Sequence, residues 1–379
     1  MKKITILALH LGYGGVEKSI ASLSNILVEK YPVEIISVYK LYNKPAFHID
    51  KRVKITYLLD EDLSPNKKEF KEALKSNNIF KILKEGLKSI KILWLKKLKM
   101  KKAIKDIKEG IVISTRIEHN SILSRFGNNN VTKIAQEHTY HNNDEKYIKN
   151  IVKSCKNIDY FMPVSEELTL FYSKYFNNTK TKCLYIPHSL DYIPNSSSIL
   201  QNKSIVSVGR LSKEKGFEDL IDVFYKVVKN RTNWILNIIG DGEEKEKIEK
   251  KIKSYDISKN VILHGYKDKN YIGDMLLNSS IYVMTSYEES FGIVLIEAQS
   301  FGVPCVAFDS AKGACEIISD NIDGYLISNR DKEEMASKII ELIDNEELRL
   351  KMGEKGKNNS LKYSKENISK EWFNLLERF

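Results

Sequence analysis

Short β-branched runs alternate with longer helical stretches along the whole of this 379-residue chain. The alternation restricts the fold more than any other feature, because neighbouring parallel strands need a crossover of a dozen or more residues, usually a helix. The first series of runs is Ile4–Leu9, Val33–Tyr39, Val53–Leu58, Ile111–Ser114, Thr132–Ala135, Tyr160–Val164 and Cys183–Ile186. A second series follows at Ser204–Val208, Trp234–Ile239, Val261–His264, Ile281–Thr285, Cys305–Phe308 and Tyr325–Ile327. Between them, Asp191 to Ser198 is rich in turn formers and poor in core residues, which marks a linker. The length also exceeds what one core supports. The reading is therefore α/β with two domains, residues 1–190 and 200–363. A closing amphipathic helix over 364–379 follows from the spacing of Ile368, Trp372, Leu375, Leu376 and Phe379.

An apolar content of 42% supplies ordinary cores and argues against wholesale disorder. No apolar run approaches the ~20 residues of a membrane span. The start Met1-Lys2-Lys3 before Ile4 is like that of a signal segment, but it runs into a glycine loop and reads as the first strand. Cys155, Cys183, Cys305 and Cys315 lie far apart without ligand spacing, which suits a reducing cytoplasm without structural zinc.

The net charge of +11 is concentrated: Lys67 to Lys108 holds fifteen lysines against Glu69, Glu72, Glu85 and Asp106, a surplus of eleven. Within it Leu83, Leu87, Ile90, Trp94 and Leu98 share one helical face, while Lys84, Lys88, Lys91 and Lys99 fall largely elsewhere. Two readings stay open. The helix lies on an anionic membrane surface, or it packs Leu and Trp inward and shows water a basic face. No nucleic-acid module accompanies the charge, so nucleic acid is not an expected partner.

Several strand ends carry residues suited to binding a phosphate. Glu289 and Glu297 bracket Ser290-Phe291-Gly292-Ile293-Val294-Leu295-Ile296. After the strand ending near Ser286, Glu289 falls in a strand-to-helix loop and Glu297 about two turns along the helix. The amides of Phe291, Gly292 and Ile293 would open that helix and present N–H donors to a phosphate. Taken as spacing alone, the two glutamates fit a surface loop and a solvated helix face better than a site. Arg210 and Lys215 end the first strand of the second series, placed to meet a diphosphate, and a solvated basic loop is the bland alternative. Glycines at Gly240, Gly242 and Gly265, the last beside His264, permit close backbone approach or a plain turn. Gly14 and Gly15 follow the first strand, and His138 and His141 follow a later one. Asp60-Glu61-Asp62 after a strand is the weaker, metal-binding possibility.

The string from Glu289 through Gly302-Val303-Pro304-Cys305 closely resembles the nucleotide-sugar signature of retaining GT-B glycosyltransferases of family 4. The resemblance implies two Rossmann-like domains with parallel sheets facing a cleft, and the closing helix returning to the first domain. It implies that Glu289 holds the donor sugar's hydroxyls and Glu297 the ribose, with Ser290 to Ile293 in the donor loop. Gly209-Arg210-Leu211…Lys215-Gly216 is similar to the family's diphosphate clamp, Gly240 and Gly242 match family positions, and His264-Gly265 lies where backbone groups read the base. Gly14 and Gly15 resemble the loop facing donor phosphate and acceptor, and His138, with His141 the alternative, the sugar-contacting histidine. Two departures stand out. Lys312 replaces a usual glycine before Gly313, and Thr139 stands where an Asp commonly follows the histidine.

The activity implied is transfer of a hexose or N-acetylhexosamine from a nucleotide-diphosphate sugar, UDP foremost, with retention and without a metal. Acceptors would be a glycan, a lipid-linked sugar or a cell-envelope polysaccharide such as capsule or teichoic acid. The expected location is cytoplasmic or peripheral at the inner face of the cell membrane. A noncatalytic GT-B-like sugar or lipid binder and a GT-B enzyme with a soluble acceptor are the alternatives. A nicotinamide oxidoreductase would need G-x-G-x-x-G, which is absent.

Overall fold

A computed structural model describes residues 2–76 and 78–379; Met1 of the basic start lies outside the described residues. The chain forms two compact units. One runs to Ile186 and takes in Ser369–Phe379, and the other is Pro187–Ile368.

The first unit is built on a seven-stranded parallel sheet. Its strands are β1 (Ile4–Ala8), β2 (Val33–Tyr39), β3 (Lys54–Leu59), β4 (Gly110–Ser114), β5 (Val131–Glu137), β6 (Tyr160–Pro163) and β7 (Lys182–Cys183), in the order 3-2-1-4-5-6-7. β1 and β2 are buried along their whole length, as sheets covered on both faces require, and this is why they read as mainly apolar, β-branched runs interrupted only by Thr5, Glu34 and Ser37. The helices are α1 (Gly15–Leu27), α2 (Lys67–Lys75), α3 (Ile79–Asp106), α4 (Ile117–Phe126), α5 (Glu145–Ser154) and α6 (Glu166–Phe176). From the closing helix, Lys365–Leu376, Trp372, Leu375 and Leu376 are buried, and Phe373 and Phe379 meet Tyr31 and Tyr160.

The inward-packing reading of the lysine-rich helix does not hold. In α3 the buried side chains are Ile92, Met100 and Ile104, aligned four or eight apart, with Lys96 on the same row paired to Glu118. The expected core stripe of Leu83, Leu87, Ile90, Trp94 and Leu98 faces out. At 28 residues α3 is about 42 Å long, while no strand of this sheet exceeds seven residues, about 23 Å. Its fully buried residues begin only at Ile92, halfway along.

The second unit repeats the design with six parallel strands: β8 (Ser204–Val208), β9 (Ile235–Ile239), β10 (Val261–Leu263), β11 (Ile281–Met284), β12 (Cys305–Phe308) and β13 (Gly324–Ile327), ordered 10-9-8-11-12-13. Its helices are α7 (Phe217–Val228), α8 (Lys245–Ser254), α9 (Lys269–Leu277), α10 (Ile293–Ser300), α11 (Lys312–Ile317), α12 (Lys332–Asp344) and α13 (Glu346–Ser360). Phe224, Leu236, Val283, Phe308 and Ile339 lie in its core. The order places β8 beside β11, so the loops leaving both strands emerge together at the carboxyl edge, where open α/β sheets bind ligands. The turn-rich 191–198 segment belongs to this unit and is tied to it: the Ser198 amide donates to the Phe301 carbonyl at 2.8 Å, and its hydroxyl donates to the Ser279 carbonyl at 2.6 Å.

Trp372→Ala removes a large side chain that is 3% exposed. The expected cost is about 3–5 kcal/mol of unfolding free energy, read from urea denaturation.

Candidate active site

β8 leads into Gly209 and Arg210, then a short 3-10 turn, Lys213–Lys215, that ends at Gly216. β11 leads through Thr285 and Ser286 to Glu289. The two loops are stitched together: the Tyr287 amide donates to the Glu214 carbonyl at 2.8 Å, and the Thr285 hydroxyl donates to the Lys215 carbonyl at 3.4 Å. This brings the Lys215 ammonium to 2.5 Å from a Glu289 carboxylate oxygen, with the two side chains only 25% and 18% exposed. A charged pair at that depth is stronger than a surface pair but stays reachable by a ligand. Arg210 lies more exposed, its guanidinium held by Glu214 and by the Ser212 hydroxyl at 3.3 Å. Burial alone would raise the Glu214 carboxyl, but hydrogen bonds from Ser212 and Arg210 outweigh it and hold it at about 2.

A cluster that no motif marks fixes the β11 loop. Arg330 donates to the carbonyls of Thr285 at 2.8 Å and Ser286 at 2.9 Å, to the Ser310 hydroxyl at 2.9 Å, and to Asp219 at 2.6 Å. Its guanidinium lies 3.6 Å from the centre of the Tyr287 ring, whose hydroxyl donates to Asp219 at 2.7 Å. β11 therefore stops at Met284 rather than continuing to Ser286: Arg330 takes the next two carbonyls.

α10 begins at Ile293, so Glu297 sits one turn into it and not two. Gly292 sets that start. Its φ of 87° breaks the helix on the amino side, and no side chain caps the end, so the first-turn N–H groups carry the positive end of the helix dipole. Phe291 is buried, its ring edge-on to His188, so its side chain serves the core. Ser290 and Glu297 are half-buried. Gly313 donates its N–H to the Glu289 carbonyl at 2.9 Å, and a Cβ there would lie 2.2 Å from the Phe291 carbonyl oxygen. The close backbone approach thus survives the exchange of its neighbour for Lys312.

Gly240 lies where a Cβ would sit 1.8 Å from the Gly209 carbonyl oxygen, and Gly242 packs against the Leu211 carbonyl. Together they let the β9 loop close on the loop of Arg210. The Gly265 carbonyl accepts the Gly240 amide at 2.9 Å. The His264 ring is engaged at both nitrogens, by Asn237 at 2.9 Å and Tyr271 at 2.8 Å, and burial lowers its pKa. Its side chain is therefore a fastening for the loop. A pocket of about 390 Å³ opens between residues 192–196 and α9, lined by Tyr192, Asn270, Asp274 and Phe301 among others; Arg210, Lys215 and Glu289 are not part of its wall.

In the first unit, Gly14 caps α1, and a Cβ on it would meet the Glu17 carboxylate at 2.1 Å. Glu17 is buried and paired with Arg116 at 2.7 Å, so the loop of Gly14 and Gly15 is anchored on the start of α4. His138 is half-buried in the turn after β5. That turn is organised by the buried Glu137, which accepts the amides of His138 and Thr139 and the Tyr147 hydroxyl, each at 3.0 Å. Burial raises the Glu137 carboxyl. His141 is packed against Phe171 with ring centres 4.2 Å apart, and its Nδ1 accepts the Asn143 amide, which makes it a structural residue. Asp60 precedes the short turn Glu61–Leu63, where Glu61 pairs with Lys40 at 2.7 Å. Among the described residues, no group of three or more His, Cys, Asp and Glu is placed to hold a metal ion.

Asp219 yields a pH prediction. Burial would raise its carboxyl, yet hydrogen bonds from Lys332, Arg330 and Tyr287 hold it at about 2, below the ordinary 3.8. A depressed folded-state pKa stabilises the fold above the unfolded value and loses that contribution as pH falls through the folded one. Stability is therefore expected to fall between about pH 4 and pH 2, and Asp219→Asn should flatten that part of the urea-midpoint profile.

The family model for glycosyl transferases group 1 matches residues 192–359, the segment holding Arg210, Lys215 and Glu289. An uncharacterized glycosyltransferase of Haemophilus influenzae is 30% identical over a 383-residue alignment covering 99% of this chain and 100% of that one. The poly(ribitol-phosphate) α-N-acetylglucosaminyltransferase of Staphylococcus aureus is 28% identical, covering 89% of this chain and 69% of its own. A crystal structure of a mutant S. aureus TarM with fondaparinux, α-GlcNAc-glycerol and UDP matches over 99% of this chain and 100% of that one, with a TM-score of 0.78 at 21% identity, so the fold is shared. On the full-length likeness and the two parallel sheets, the chain belongs to the group 1 glycosyltransferases of GT-B fold.

Proposed function

We propose that the second unit binds a nucleotide-diphosphate sugar, with UDP the expected nucleotide, and that the enzyme transfers its hexose or N-acetylhexosamine with retention at the anomeric carbon. The observation that carries this reading is the meeting of Lys215 and Glu289 beside the uncapped start of α10. Breaking the bond between the sugar's anomeric carbon and the diphosphate oxygen leaves negative charge on the diphosphate. Lys215, Arg210 and the first-turn amides of α10 supply fixed positive potential for it. Glu289 holds the donor sugar's hydroxyls while its partner Lys215 turns to the phosphate. The acceptor hydroxyl attacks from the leaving-group face, and its proton passes to the departing phosphate oxygen. No step in this account requires a metal.

Glu297 as ribose ligand, Gly265 as a backbone reader of the base, and His138 with Gly14 and Gly15 as donor-side groups of the first unit rest on the family resemblance. The acceptor is a cell-envelope glycan or polymer, in line with the poly(ribitol-phosphate) transferase named among the relatives.

A screen of UDP-glucose, UDP-galactose, UDP-GlcNAc, UDP-GalNAc and GDP-mannose by thermal shift and donor hydrolysis, with and without EDTA, tests this. One donor and its nucleotide are expected to stabilise the protein regardless of EDTA, and Arg210→Ala should abolish the shift. Lys215→Ala and Glu289→Gln should each lower kcat by about 10²–10³-fold. An EDTA-sensitive response would overturn the metal-free reading.

A further inference from the structure

We infer that the outward face of α3 docks on an anionic lipid surface. Phe80, Leu83, Leu87, Ile90, Trp94 and Leu98 are each 46–86% exposed and recur at helical spacing along one stripe. Isolated exposed apolar residues need no explanation, but a continuous stripe of this length marks an interaction face. A domain helix that only had to pack would not need them, because α3 already seats itself through Ile92, Met100 and Ile104.

Charge identifies the occupant. Lys84, Lys88, Lys91 and Lys102 are exposed and border the stripe, and the acids of α3 are confined to Glu85 and Asp106. Of these, Glu85 is engaged with Asn66 at 2.8 Å. A second copy of the same face would bring lysines against lysines. An anionic headgroup layer meets both features at once, receiving the apolar stripe among its acyl chains and the ammonium groups at its phosphates. The helix lies in the interface and does not cross it, since no helix among the described residues is long and apolar enough to span a membrane. This goes beyond the donor reading and does not depend on it.

The experiment is vesicle flotation of the full chain. Phosphatidylcholine vesicles with and without about one-third phosphatidylglycerol are compared at low salt and ~1 M salt. Of the three tryptophans, Trp234 and Trp372 are buried, so a change in emission reports Trp94. Binding to the anionic vesicles at low salt with a blue shift is expected. Paired Leu87→Glu and Trp94→Glu should abolish flotation, and Lys84→Glu with Lys91→Glu should weaken it by about tenfold or more. Because these side chains are exposed, the variants should keep the wild-type melting temperature. No binding at low salt, equal binding to uncharged vesicles, or unchanged binding by the Leu87→Glu, Trp94→Glu pair would overturn the proposal. So would self-association in place of vesicle binding that the same pair of substitutions abolishes.

Discussion

The ion pair between Lys215 and Glu289 is the contact on which the chemistry proposed for the second unit depends. It exists because β8 and β11 are adjacent parallel strands, so that loops more than seventy residues apart in sequence leave the sheet side by side. In that position an ammonium and a carboxylate hold one another in place while remaining within reach of a polar ligand. In the proposed reaction a diphosphate would compete for the lysine and a sugar hydroxyl for the glutamate, and the pair would be a resting arrangement that the donor converts into two ligand contacts.

The pair stands on a rigid base. Arg330 ties the Thr285 and Ser286 carbonyls, Ser310 and Asp219 together, and Tyr287 lies against its guanidinium and donates to the same Asp219. Removing one member of such a shielded charged cluster leaves the other uncompensated. The loop of Glu289 is also held from behind by Gly313, whose missing side chain lets Phe291 pack against its backbone. Fixed position is what this architecture provides.

The strands were legible because parallel sheets covered on both faces demand apolar, β-branched runs; β1 and β2 are buried throughout and stood out for that reason. Their ends were less legible where a distant side chain intervenes. β11 stops early because Arg330, more than forty residues away, takes its carbonyls, and α10 starts late because of Gly292. Lys215 and Glu289 were readable from local strings. Arg330, Asp219, Glu214 and Glu137 were not, since their roles arise from contacts that no spacing encodes. In α3, periodicity revealed an apolar stripe but not which side of the helix meets the sheet. The packed row is defined by Ile92, Met100 and Ile104, which are less conspicuous than Leu87 and Trp94.

Calorimetric titration of UDP and UMP into the wild-type protein and Lys215→Ala tests the central claim most directly. If Lys215 holds the second phosphate, the substitution weakens UDP binding by about ten- to a hundredfold, the worth of a charge-assisted hydrogen bond, and leaves UMP unchanged. Equal losses for both nucleotides, or no loss for either, would contradict it.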